Sequence, residues 1–152
     1  MALTTIAVAA ALTLAPTLAR ADAFSALKGG WSGGGSAKFT GGESEKLRCT
    51  ARYSGGGASL ALNIKCASTS ANINLTGNLS ASGSRVSGGW NENSFGLSGS
   101  ASGSRTDHSV RLKISGSTSG YLTLSVTGNS HSVALSSQGT PLTGVNVSMR
   151  RR

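Results

Sequence analysis

The residues that could form a catalytic acid–base pair are few, and the most suggestive pair is Asp107-His108. A hydrolase of the Ser-His-Asp type needs a serine positioned against the histidine and a backbone oxyanion hole. No G-x-S-x-G segment supplies such a serine, because residues 99–103 read G-S-A-S-G. Adjacent residues on a strand also point to opposite faces, so Asp107 could not orient His108 there. We therefore interpret the pair as part of a surface turn.

Other combinations of reactive residues are equally weak. Ser25 and Lys28 have the S-x-x-K spacing, but none of the motifs that accompany it in penicillin-binding enzymes follows. Glu43 and Glu45 lie next to a glycine turn, where we expect them to be solvated, so a paired-carboxylate glycosidase is not predicted. Two cysteines alone make a poor zinc site. We therefore expect neither an enzyme nor a bound metal or other cofactor.

The amino-terminal segment is typical of a secretory signal peptide. Residues 2–19 are uncharged and rich in Ala and Leu, and two overlapping small-x-small patterns end at Ala21 and Ala23. A transmembrane anchor is the alternative, although this run is barely long enough to span and Pro16 interrupts it. The sequence thus predicts a signal peptide over residues 1–23, cleaved near Ala21 or Ala23, and a single domain over residues 24–152. The mature protein would be periplasmic or secreted and would not span a membrane.

Export determines how the two cysteines are interpreted. An even pair in an exported chain of this size predicts one disulfide, Cys49–Cys66. If these residues lie directly opposite each other on two antiparallel strands, Ala51 faces Ile64 and the other apolar positions coincide on one face. The turn between the strands would then occupy residues 56–59. This agreement favours a β-hairpin closed by the disulfide.

The domain as a whole has the pattern of an antiparallel β-protein. Its 22 glycines and many serines disfavour helices, and apolar residues alternate with polar ones in short runs separated by turn-forming clusters. No stretch is long enough for the crossover helices of a parallel sheet. The two Trp, two Tyr and three Phe do not supply the aromatic girdles of an outer-membrane barrel. We predict an all-β antiparallel meander of about 8–10 strands forming a small barrel or sandwich. The runs are 31–39, 47–53, 60–66, 73–79, 86–90, 95–97, 110–114, 122–126, 133–135 and 145–149.

Positive charge is the main functional signal. The chain carries 14 Lys and Arg against 5 Asp and Glu, a net charge of +9. The hairpin register gathers Lys46, Arg48, Arg52 and Lys65 on the face opposite the disulfide. In an exported protein, the anions available to this patch are lipid headgroups, lipopolysaccharide phosphates and acidic polysaccharides, whereas nucleic acid is not expected. The alternative is a surface whose charge only keeps the domain soluble.

A short motif at each end of the domain resembles the calycins. Gly29-Gly30-Trp31 opens the first strand as G-x-W, and Arg150 ends the last one. This is similar to lipocalins and avidin-like proteins, and the resemblance implies that Trp31 closes one end of a barrel with Arg150 stacked over it. The wider pattern, from Trp31 through the segments around Cys49 and Cys66, is similar to small exported proteins of Gram-negative bacteria that have no assigned function.

These observations favour a non-enzymatic binding module of the periplasm or exterior. Its partner would be an anionic envelope component at the basic patch or a small ligand in the barrel, with the two tryptophans and Tyr53 as candidate cavity-lining residues. The alternative is an inhibitor of a secreted or host hydrolase, with a protease as the preferred target. It would act through a flexible segment at Phe24–Lys28.

Overall fold

Ten antiparallel strands in a meander form the fold. A computed structural model of the chain describes residues 12–15 and 22–152. Each strand pairs with the next along the chain, and the first pairs with the last, so the sheet closes into a barrel. The prediction of an all-β meander is confirmed, and the closed sheet decides between barrel and sandwich. The elements are α1 Ala23–Leu27, β1 Gly29–Phe39, β2 Ser44–Gly56, β3 Ser59–Ala67, β4 Asn72–Ser82, β5 Arg85–Glu92, β6 Leu97–Arg105, β7 Ser109–Gly116, β8 Ser119–Thr127, β9 Ser130–Gln138 and β10 Leu142–Arg151.

The β2–β3 hairpin has the predicted register. Cys49 lies opposite Cys66 and the two form the disulfide, while Ala51 faces Ile64. The turn is shorter than predicted, because pairing continues to Gly56 and Ser59 and leaves only residues 57–58 between the strands. Apolar side chains alternate inward along this hairpin as along the others, which supplies the barrel interior.

Glycines in β1 allow the last strand to approach closely. A methyl group on Gly35 would lie 1.8 Å from the backbone oxygen of Asn146, and one on Gly33 would lie 2.1 Å from that of Ser148. Both are below any possible van der Waals separation, so only glycine fits at these inward positions. A small barrel bends its strands strongly, and glycine marks the places where one backbone passes close to another.

The short helix α1 closes one end of the barrel. Asp22 caps its first turn, because one carboxylate oxygen accepts a hydrogen bond from the Ser25 N–H at 3.0 Å. Ala23, Phe24 and Leu27 are fully buried. The expectation of a flexible segment at Phe24–Lys28 is therefore wrong, since burial of Phe24 and Leu27 anchors the helix in the barrel.

The two ends of the barrel differ in packing. Near α1 the interior is filled, and its fully buried side chains include Trp31, Tyr53, Leu60 and Leu124. At the opposite end the β5–β6 turn carries Phe95, which was expected in a strand but is 56% exposed. The open end is therefore the part of the fold where a ligand could enter.

The predicted signal peptide lies largely outside the described residues. Of its residues, the structure describes 12–15, which are exposed, together with 22 and 23. Within the described ranges no helix has both the length and the apolar character needed to cross a membrane.

Candidate functional site

A cavity of about 550 Å³ occupies the open half of the barrel. Its size falls within the range of small-molecule sites in proteins. Inward-facing side chains of most strands form its wall, and residues of the loops at the open end surround its mouth. Half-buried apolar residues mark this region, because their side chains border empty space instead of packed neighbours. The half-buried wall residues include Phe39, Ile73, Leu75, Leu97, Leu135 and Leu142, and buried ones such as Leu62, Trp90, Leu112 and Leu122 complete the wall.

The tryptophans and Tyr53, predicted as candidate cavity-lining residues, lie in different places. Trp90 lines the cavity and donates a hydrogen bond from its ring N–H to the carbonyl oxygen of Ser100 at 3.1 Å. Trp31 and Tyr53 instead pack in the filled half, near α1. The cavity therefore contains one indole, which reports on whatever enters.

Glu92 is the acidic residue of the cavity wall, and its carboxylate is turned toward backbone. One oxygen accepts hydrogen bonds from the N–H groups of Asn74 at 2.6 Å and Ser94 at 3.3 Å, and the other accepts from Phe95 at 2.7 Å. These bonds hold the β5–β6 turn against β4. Nothing in the sequence pattern singles out Glu92 for this role, because its acceptor bonds are made to backbone N–H groups that only the folded turn brings together.

The side-chain hydroxyl groups around the cavity also donate hydrogen bonds within the protein. Ser137 and Thr140 both donate to the carbonyl oxygen of Leu142, at 2.5 Å and 2.9 Å. Thr118 donates to the carbonyl oxygen of Gln138 at 2.5 Å, and Ser70 donates to the Glu45 carboxylate. Each hydroxyl has one proton to give, so these four oxygens remain available only as acceptors.

At the closed end, the arginine that stacks on Trp31 is Arg151 and not the predicted Arg150. Its guanidinium lies 4.2 Å from the centre of the Trp31 ring, and its nitrogens donate to the carbonyl oxygens of Ala26 and Lys28, each at 2.8 Å. The prediction of Arg150 is wrong by one residue. Arg150 pairs with Ser32 on the outer face of the barrel, whereas Arg151 pairs with Trp31. Because Trp31 Nε1 donates to the Leu27 oxygen at 2.8 Å, the pair caps the end of α1.

A second arginine holds the other side of the helix. Arg105 forms an ion pair with Asp22 at 3.4 Å, donates to the carbonyl oxygens of Gly57 and Gly83, and lies 4.8 Å from the centre of the Phe24 ring. Arg105 therefore holds the start of α1 and Arg151 its end, and each arginine also contacts an aromatic ring.

His131 is buried beside Trp31 and Tyr53. Its Nδ1 lies 2.8 Å from the carbonyl oxygen of Ser125, which can only accept, so Nδ1 carries the proton. Its Nε2 then accepts from the Tyr53 hydroxyl at 2.7 Å. Burial lowers the pKa of His131 and raises the pKa of Tyr53, so both side chains are held neutral. The two hydrogen bonds of His131 thus connect β9 with β2 and β8 in the closed half of the barrel.

The pair Asp107-His108 lies in the β6–β7 turn, and both residues are exposed. The turn is stabilised by Thr106, whose Oγ1 accepts from the N–H groups of His108 at 3.2 Å and Ser109 at 3.1 Å. Within residues 12–15 and 22–152, no cluster of three or more His, Cys, Asp or Glu residues could hold a metal ion.

The four predicted basic residues, Lys46, Arg48, Arg52 and Lys65, lie together on the outer wall and are exposed; we call them the basic surface. Lys65 pairs with Thr50, which lies between Arg48 and Arg52 on β2. Arg48 and Lys65 border a shallow groove on this wall. In the described part of the chain, the ion pair within 4.0 Å is that of Arg105 and Asp22, so no carboxylate there forms a close ion pair with the basic surface.

Comparison with known proteins supports the fold. No family model matches the chain, and no curated protein matches it. Among solved structures, the chain is similar to the crystal structure of Rv2717c from M. tuberculosis, with a TM-score of 0.64 and 16% sequence identity. The alignment covers 86% of this chain and 95% of that one. At this identity the likeness shows a shared barrel fold.

Proposed function

We propose that the protein binds a small apolar molecule inside its barrel. The observation that carries this proposal is the cavity of about 550 Å³, whose wall is formed mainly by aliphatic side chains and which reaches the open end. An unfilled apolar cavity of this size forfeits packing contacts in the free protein. A ligand regains those contacts, and burial of its own apolar surface drives binding.

Fluorescence of Trp90 tests the proposal directly. An uncharged naphthylamine dye should quench Trp90 by energy transfer and gain intensity on entering the cavity. Ala101→Phe should block binding, because Ala101 lines the cavity, whereas Ser102→Phe adds the same ring to the outer face of the same strand. Binding that is absent in the unmodified protein, or that is equal in the two variants, would contradict an interior site.

We propose the basic surface as a second binding site, for anionic lipid or lipopolysaccharide headgroups or acidic polysaccharide. Four exposed cations lie on the outer face of the paired strands β2 and β3, and none has a carboxylate partner within 4.0 Å in the described residues. Such a surface attracts anions over roughly one Debye length, about 8 Å at physiological salt. This proposal is independent of the cavity.

Flotation with vesicles tests the basic surface. Vesicles containing phosphatidylglycerol should bind the protein in a salt-sensitive manner, and purely neutral vesicles should not. Replacing all four residues of the basic surface with Gln should abolish binding. A matched variant with Arg85, Arg111, Lys113 and Arg150 replaced by Gln should retain it, because those four exposed residues lie on other strands. Equal loss in both variants would indicate that only net charge matters.

We further propose that the chain is exported, with cleavage after Ala21 and not after Ala23. The disulfide supports an oxidising compartment. Cleavage after Ala23 would remove Asp22, which caps α1 and pairs with Arg105, together with the buried Ala23. Mass spectrometry of protein recovered from the periplasm should give Asp22 as the first residue. An intact amino terminus in the cytoplasm would contradict export.

The protease-inhibitor hypothesis stays a prediction without a structural element to carry it. The segment proposed for it, Phe24–Lys28, includes the buried helix α1. A panel of protease assays with micromolar protein still tests the hypothesis, because loops at the open end are free to bind.

A further inference from the structure

We infer that the cavity selects uncharged apolar molecules that carry a hydrogen-bond donor, such as an aliphatic alcohol, and excludes the corresponding carboxylates. This inference rests on the proposed interior site and names the chemical class of its ligand. It follows from the charges and hydrogen-bond donors of the cavity wall.

The wall offers no positive charge. Among the described residues that line the cavity, none is Lys, Arg or His, and the ionisable one is Glu92. A ligand carboxylate held at the rim of this space would lose part of its hydration without gaining a cation from the lining residues, and a partly buried unpaired charge is disfavoured. It would also add a second acid to a wall that already holds one.

The wall likewise offers no free side-chain donor. The hydroxyls of Ser70, Thr118, Ser137 and Thr140 each give their proton to a carbonyl or carboxylate oxygen, and the Trp90 N–H gives its proton to Ser100. Their oxygens keep lone pairs. A ligand hydroxyl can therefore donate to the wall, whereas a ligand that only accepts finds no side-chain partner.

The acceptors are concentrated near the mouth. Thr118, Ser137 and Thr140 all belong to the loops or strand ends beside the open end, and the rest of the wall is mainly apolar. A molecule with a polar head and an apolar chain would therefore bind with its chain inside and its donor at the rim. Only the head would need a hydrogen-bond partner, which limits the polar groups left unsatisfied on binding.

Three probes with the same chain separate these properties. Decanol is neutral and donates, methyl decanoate is neutral and only accepts, and decanoate at neutral pH is anionic. Displacement of the naphthylamine dye should rank them decanol, methyl decanoate, decanoate. We expect decanoate to bind at least about tenfold more weakly than decanol, because its charge has no partner. Decanol should bind a few-fold more tightly than the ester, because it makes one more hydrogen bond.

A variant that supplies the missing cation completes the test. Leu142 is half-buried at the rim and lines the cavity. Leu142→Lys should raise decanoate affinity about tenfold and leave decanol nearly unchanged, and Leu142→Met is the control of similar size. If the dye and all three probes fail to bind, the interior site itself is wrong. If decanoate binds the unmodified protein as tightly as decanol, or the ester binds more tightly than the alcohol, the inferred ligand class is wrong.

Discussion

Arg151 should stabilise the protein much more than its neighbour Arg150. The guanidinium of Arg151 donates to the backbone carbonyls of Ala26, in the last turn of α1, and of Lys28, its C-cap, and lies against the face of Trp31. Arg150 lies on the outer face and is exposed. Replacing each with Met keeps most of the aliphatic stem, removes the charge and the donors, and therefore compares two adjacent arginines that differ only in what they contact.

The expected cost can be assembled from the contacts. Each hydrogen bond contributes about 0.5–1.5 kcal/mol net, and the partly exposed cation–π contact contributes about 0.5–1 kcal/mol. Solvent screening lowers these values, because Arg151 is itself exposed. We therefore expect Arg151→Met to lower the free energy of unfolding by about 2 kcal/mol. In a domain of this size that corresponds to a fall in Tm of roughly 6–10 °C. Arg150→Met should stay within about 0.5 kcal/mol.

Urea unfolding followed by near-ultraviolet circular dichroism measures both effects, since Trp31 is a major chromophore of the closed end. Arg151→Lys provides a graded check, because an ammonium keeps the charge but cannot make the forked pair of bonds; it should lie between Met and Arg. If Arg150→Met costs as much as Arg151→Met, or if Arg151→Met changes neither the Tm nor the signal of Trp31, then the stack does not hold the helix.

Three further outcomes are expected. Replacing Cys49 and Cys66 with Ser should cost roughly 3 kcal/mol by the chain-entropy model, measured as a lower urea midpoint that reduction of the unmodified protein reproduces. The pKa of His131 is lowered in the folded state, so the unfolded chain binds its proton first and stability should fall as pH drops below about 6.5, by at most about 1.4 kcal/mol per pH unit; a His131→Gln variant that keeps this slope would refute the assignment. Gly35→Ala should cost at least about 3 kcal/mol because its methyl group would overlap backbone atoms, so that a strand has to move, whereas Gly30→Ala, with 3.9 Å to the nearest atom, should be tolerated.

The hairpin register could be predicted because the disulfide fixes it. Once Cys49 is placed opposite Cys66, the period of two along each strand determines every other pair, including Lys65 opposite Thr50. The same alternation of apolar and polar residues predicted the strands. It also predicted that the residues of the basic surface lie on the outer face. The error at Arg150 was avoidable on this ground. Val147 and Met149 point inward, so Arg151 and not Arg150 continues the inner face.

The cavity and the helix could not be predicted in the same way. Leu60 is fully buried and Leu75 lines the cavity, although both belong to inward faces with the same alternation. A period-two pattern says which face a residue occupies and not whether the space beyond it is filled. The helix α1 has five residues, too few to show a helical period, and only the cap at Asp22 marks its start.

Closure of the barrel brings residues from opposite ends of the sequence into one cluster. Arg151 contacts Trp31 and the carbonyl oxygens of Ala26 and Lys28 at the end of α1. The N–H of Arg152 donates to the Gly30 oxygen at 3.0 Å. During synthesis, β10 emerges after the other nine described strands, so β1 lacks one of its two neighbours and α1 lacks its cap until β10 has been made. Contacts of such large sequence separation form slowly. The native end wall can thus be assembled only after translation has delivered β10, although its other parts, α1 and β1, are made first.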